Sequence, residues 1–153
     1  MRPKGQGDRR VAVPGAQGQA AGRPHRLKEP CAQVLMLAAE RPEAFLTDAE
    51  VLQELLHRYL ALRLWPEGRN VFHRFADLMR ERVEPVQAID VEQAALLADE
   101  LPELGARDLL HAAILRRLGV QRIISADTAL DRLTEVERLD PTEVEAWRDR
   151  ILR

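Results

Sequence analysis

The stretch from Gly105 to Leu133, GARDLLHAAILRRLGVQRIISADTALDRL, constrains the fold of this chain more than any other. From Asp108 to Gly119 the apolar residues Leu109, Ala112, Ala113 and Leu115 fall on one broad helical face, and Gly119, after Arg116 and Arg117, has the place and chemistry of a helix stop. Ile123 and Ile124 form a brief β-branched run, and the chain turns at Ser125-Ala126-Asp127 before a second helix start. So short a helix-to-strand connection implies an α/β unit with a parallel sheet, in which polar sites lie beyond the carboxyl ends of the strands. Asp127 sits at such an end, and Asp108 at the mouth of the preceding helix.

The 153 residues suffice for one domain with a sizeable core, and 46% hydrophobic with 31% charged residues is ordinary for a soluble protein. No apolar run approaches membrane length, and the basic start MRPKGQGDRR is not followed by the apolar stretch of a secretory signal. Cys31 is the single cysteine, which excludes an internal disulfide and suits a reducing cytoplasm; it reads as a small buried apolar residue. Residues 1–30 carry a net +5, which leaves −7 on the remainder. An acidic body cannot grip a phosphate backbone by bulk charge, so a nucleic-acid partner would need local arginines or bound cations.

Residues 1–21 stand apart from the rest. Five of the eight glycines fall before Arg23, and Val11-Ala12-Val13 is the one apolar run there, so this segment is expected to be disordered or to form at best one poor edge strand. A domain is expected over 22–153. Its helices are predicted at Leu27 to Glu40, from the Thr47-Asp48-Ala49-Glu50 capping box to about Arg63, at Arg69 to Arg82 after a Trp65-Pro66-Glu67-Gly68 turn, from an Asp90 cap to Leu101, and from Asp140-Pro141 onward. Strands are predicted at Ala44 to Thr47, Val83 to Ile89 and Val136 to Leu139. The second helix buries a stripe of Val51, Leu52, Leu55, Leu56, Tyr59 and Leu60.

Three acids, Glu54, Asp108 and Asp127, stand on different elements far apart in sequence. Each has a local role open to it: Glu54 an i,i+4 pair with Arg58, Asp108 a helix-dipole partner in a first turn, Asp127 a cap. The segment Thr47-Asp48-Ala49-Glu50-Val51-Leu52-Gln53-Glu54-Leu55-Leu56-His57-Arg58-Tyr59 resembles the acidic-helix motif of PIN domains, as found in VapC-type toxins of bacterial toxin–antitoxin pairs. Ala106-Arg107-Asp108-Leu109-Leu110-His111-Ala112-Ala113, then Ser125-Ala126-Asp127 and Leu130-Asp131-Arg132-Leu133, are similar to that family's later acidic motifs in the right order, so the resemblance runs from about residue 22 to the C-terminus.

The resemblance implies a three-layer α/β/α sandwich with a mostly parallel central sheet, and a metal-dependent endoribonuclease that acts as the toxin of a toxin–antitoxin pair. Its partners would be RNA substrate and a cognate antitoxin, its assembly a homodimer, its place the cytoplasm with no membrane. Asp108 and Asp127 would be metal ligands and Glu54 a ligand directly or through water, with Ser125 supporting the site and Asp131 an extra acid. Mg²⁺ or Mn²⁺ suits such residues, because a hard ion takes oxygen ligands and keeps several waters. His111 reads as a packed or hydrogen-bonded residue, and Arg69, Arg74, Arg80 and Arg82 as a basic helix that is a solvated face or an RNA contact.

The chain departs from the family at its front. PIN domains begin with a strand that ends in a metal-binding aspartate, whereas RRVAVPGAQGQAA has no acid after its apolar residues and Asp8 precedes them. That departure supports the alternative of a catalytically impaired PIN-like binding protein.

Overall fold

The computed structural model describes residues 10–13 and 26–153. The rest of the expected disordered segment, with His25 and the Gly22 turn, lies outside the described residues. Along the chain run β1 (Val11–Ala12), α1 (Lys28–Glu40), β2 (Phe45–Asp48), α2 (Ala49–Ala61), α3 (Trp65–Leu78), β3 (Val83–Glu84), α4 (Ala88–Glu100), α5 (Ala106–Leu118), β4 (Arg122–Ile124), β5 (Glu137–Leu139) and α6 (Val144–Ile151).

The five strands form one parallel sheet in the order β3-β2-β1-β4-β5. The Val11 run is therefore not an edge strand but the centre: Val11 lies opposite Phe45, and Ala12 opposite both Leu46 and Ile123. A two-residue strand suffices there because Val11 is fully buried and Val13 donates its N–H to the Leu46 carbonyl at 2.8 Å. Alternation of side chains then separates two cores. Val11, Val13, Phe45 and Ile124 face α1, α2, α3 and α6 through Val34, Leu55, Phe75 and Trp147, whereas Ala12, Leu46 and Ile123 face α4 and α5 through Leu97, Leu109 and Ala112. The result is the three-layer α/β/α sandwich with its sheet in the middle.

Several local expectations change for identifiable reasons. Trp65-Pro66-Glu67-Gly68 is not a turn but the first turn of α3, where a proline costs nothing and Gly68 lets the helix press on the Tyr59 ring. A Cβ on Gly68 would sit 2.1 Å from that ring. Leu60, placed in the buried stripe, is 52% exposed because α2 meets α3 through Leu55 and Tyr59 instead. The strand expected from Val83 to Ile89 stops at Glu84, since Pro85 cannot extend the ladder. The cap of α4 is Gln87, with Asp90 reaching back to the Gln87 N–H at 2.8 Å. After Asp127 the chain makes a 3-10 turn, Thr128–Arg132, rather than an α-helix. The α5 stop is as read: Gly119 has φ 69°, a left-handed conformation that favours glycine.

The steps from β1 to β2 and β3 run one way across the sheet, and β4 and β5 lie on the other side of β1. Their switch point is at the carboxyl ends of β1 and β4, where loops from both layers converge.

Candidate active site

At the end of β2, Asp48 uses both carboxylate oxygens. Its Oδ1 accepts the Val51 N–H at 3.1 Å and caps α2, while its Oδ2 is 2.6 Å from Nδ1 of His111 on α5. Thr47, read as the cap, instead donates its hydroxyl to the Val13 carbonyl at 2.8 Å. The end of β1, the start of α2 and the first turns of α5 are thereby tied together by buried polar groups. Such groups are hydrogen-bonded because leaving one unmet in the interior is costly.

His111 carries the consequence. Burial opposes its charge, yet the hydrogen bond and charge of Asp48, with Glu54 and Asp108 nearby, outweigh it and raise the imidazole above its ordinary pKa. It is a buried, hydrogen-bonded residue, as expected, and not a member of any metal-sized cluster among the described residues.

Asp108 lies in the first turn of α5 and is partly buried. Burial pushes its carboxyl up, and the charges of Asp127 and Glu54 push it further, while His111 and Arg107 pull it back. The net shift is upward. The charges of Glu54, on α2, and Asp127, in the loop after β4, both reach Asp108 on α5. Glu54 reaches beyond its own helix: its Oε1 is 3.0 Å from Nη1 of Arg107, which comes from α5.

The loop after β4 is held from within. Asp127 caps the 3-10 turn by accepting the Ala129 N–H at 2.9 Å, and the buried Ser125 Oγ accepts the Asp127 N–H at 3.1 Å. Asp131 is drawn away from the other acids: Arg138 donates to its two oxygens at 2.7 Å and 3.4 Å, and the same guanidinium donates to the Ser125 carbonyl at 2.9 Å. Asp131 and Arg138 therefore brace the loop.

Carboxylate oxygens suit a hard divalent ion, and the Asp108 carboxyl is raised first by burial and then by the charges of Asp127 and Glu54. Among the described residues, no group of three or more His, Cys, Asp or Glu is close enough to hold an ion outright. An ion bound by one or two carboxylates and several waters fits this arrangement; a full protein cage does not.

The PIN domain pattern matches residues 20–136. The chain belongs to the PIN-domain family. Within that family it is similar to VapC proteins. It is 41% identical to ribonuclease VapC23 of Mycobacterium tuberculosis over 114 residues, covering 72% of this chain and 86% of that one. It is 34% identical to VapC ribonuclease Mb1869c of Mycobacterium bovis over 119 residues, covering 78% and 88%. The crystal structure of FitAcB from Neisseria gonorrhoeae has the same fold, with a TM-score of 0.56 and 19% identity over 87% of this chain and 99% of that one. Val13 follows directly on β1, and the sequence has no acid between it and Glu29.

Asp48 and Arg107 were not singled out by sequence reasoning. Asp48 was visible as half of a capping box, and Arg107 as the residue before Asp108. Neither residue type signals contact with another helix. Of the basic helix, Arg80 lies on a solvated face, as one expectation had it, and pairs there with Asp77, whereas Arg82 donates to the Pro42 carbonyl at 2.8 Å and fastens the chain after α3 to the segment after α1. Trp147 is a packing anchor, buried with its indole N–H on the Asp140 carbonyl at 2.8 Å.

Proposed function

We propose that this chain is a divalent-cation-dependent endoribonuclease of the VapC type, the toxin of a toxin–antitoxin pair. The observation that carries the reading is that the charges of Asp127 and Glu54 both reach Asp108 and add to burial in raising its carboxyl. The ribonuclease names of the VapC relatives support the substrate class.

Asp108 and Asp127 would hold Mg²⁺ or Mn²⁺, with Glu54 acting directly or through water. A bound ion would lower the pKa of a water and neutralise charge on the scissile phosphate. Ser125 keeps the Asp127 backbone in place through its Oγ, and Asp131 acts through Arg138 on the same loop. The Asp48–His111 pair fixes the start of α2 against α5, so that Glu54 and Asp108 face one mouth. A cognate antitoxin covering that mouth and a homodimer complete the reading. No helix among the described residues is long and apolar enough to cross a membrane, and a cytoplasmic location follows from an RNA substrate.

The test is cleavage of structured RNA with Mg²⁺ or Mn²⁺, with and without chelator, in wild type and Asp108→Asn. Loss of cleavage in both controls supports the reading; an unchanged rate in the variant sinks it. A second reading, a PIN-like binding protein with impaired catalysis, is favoured by the absence of an acid between Val13 and Glu29. Metal-dependent turnover by the wild type would remove it.

A further inference from the structure

We infer that Arg107 has two partners at the mouth of the acid site: it neutralises Glu54 while no cation is bound, and contacts a substrate phosphate once a cation has taken Glu54 from it. This rests on the nuclease reading. Its side chain is 54% exposed, whereas the Glu54 side chain it bonds at 3.0 Å is 18% exposed, so the arginine is the more solvent-facing member of the pair. The other cationic group that acts on Asp108, His111, is committed to Asp48 in the interior. Of the two cations that act on Asp108, Arg107 is thus the one an incoming polyanion can meet.

The chemistry of the two partners is compatible. A guanidinium binds carboxylate and phosphate oxygens through the same planar fork, so release from Glu54 requires no new type of contact. A divalent ion near Glu54 repels Arg107 and competes for the same oxygens. The negative body of the chain offers little else to offset a phosphate approaching three acids.

This gives opposite signs for two measurements on one variant. In Arg107→Ala, Mn²⁺ binding measured by calorimetry becomes tighter by about threefold to fivefold, the scale of an exposed ion pair removed from competition. Binding of a short 2′-O-methyl single-stranded RNA, measured by anisotropy with Mn²⁺ present, weakens, and the slope of log affinity against log salt becomes shallower by about 0.7, one phosphate contact. Arg107→Lys recovers the salt slope but only part of the affinity, because a lysine lacks the fork.

A residue that merely braced the site would weaken both Mn²⁺ and RNA binding when removed, and that result overturns the inference. So does an unchanged salt slope. Wild-type protein that binds no Mn²⁺, or binds it equally well as Asp108→Asn, overturns the nuclease reading and this inference together. Wild-type binding that depends on Asp108, with Arg107→Ala unaltered in both measurements, defeats the Arg107 assignment alone.

Discussion

At the C-terminal end of α5, Arg117 donates to both oxygens of Asp90, at 2.7 Å and 3.1 Å, and to the Pro85 carbonyl at 3.0 Å. Burial alone would raise the Asp90 carboxyl, but Arg117 and the Gln87 N–H overcome it and hold the carboxyl below its ordinary pKa. At the N-terminal end of the same helix, burial and two neighbouring acids raise Asp108, and the nearby cations do not restore it. One helix therefore has a balanced charge at one end and an unbalanced charge at the other. The balanced end fastens α4 and the chain after β3 to α5. The unbalanced end stores the unfavourable interaction that a bound cation would relieve.

The largest effect should come from breaking the balanced end. Asp90 is 1% exposed, so Arg117→Ala strands a buried carboxylate and should cost about 3–5 kcal/mol by denaturant titration. Replacing both partners with apolar residues should cost much less, because no charge is left behind. A loss below about 1 kcal/mol in the single variant would mean that the pair is open to water and that the two ends are alike.

At the unbalanced end the same kind of change should move stability the other way. Asp108→Asn removes the charge that burial and its neighbours oppose, so the cation-free variant should melt at or above the wild-type temperature. RNA cleavage should fall by about a hundredfold or more, the cost of losing a ligand that holds and orients an ion. Added Mn²⁺ should raise the wild-type melting temperature and leave the variant's unmoved, since a ligand stabilises only the state it binds. A variant that melts well below wild type would show that Asp108 is a structural acid.

The contrast between the two ends was only half visible in the sequence. Glu54, Asp108 and Asp127 could be singled out only through the resemblance of their segments to PIN-domain motifs, since each also had a local role open to it, whereas the α5 stop at Gly119 follows from local chemistry. Asp90 read as a cap for the same local reason, and its partner Arg117, on the next helix, carries no sequence signal. The pair exists because α4 and α5 pack side by side, which is tertiary information. Likewise, Trp65-Pro66-Glu67-Gly68 has the composition of a turn and becomes helix only because Gly68 fits against Tyr59. The centrality of Val11 and Ala12 depends on strands more than thirty residues away. Periodicity within a segment was legible, whereas pairing between segments was not.

A smaller change probes the latch that sets the unbalanced end in place. Asp48→Ala loses the α2 cap and leaves buried His111 without its acceptor, so it should cost about 1–3 kcal/mol. Asp48→Asn keeps a cap oxygen for Val51 and removes only the charge, so it should cost less than the alanine. Equal losses would mean that the charge on Asp48 does nothing for His111.

The smallest effect is a pH dependence, and its sign follows from His111. Its folded pKa lies above the ordinary 6.5, so the folded state binds the proton more tightly than the unfolded state does. The stability this supplies is fully present below about pH 6.5 and is lost as pH rises through the higher folded value. Asp108 has the same sign in a more acidic window: a carboxyl raised in the fold begins to cost stability as pH rises from its ordinary 3.8. Melting temperature should therefore fall as pH rises through the His111 window, and Asp48→Asn should flatten that slope by removing the partner that favours imidazolium. In the acidic window Asp90, held below its ordinary pKa, acts with the opposite sign, so the Asp108 contribution is read as a difference: Asp108→Asn should gain stability relative to wild type as pH rises from 3.8. A wild-type melting temperature that rises with pH above 6.5 would mean that burial, not Asp48, governs His111.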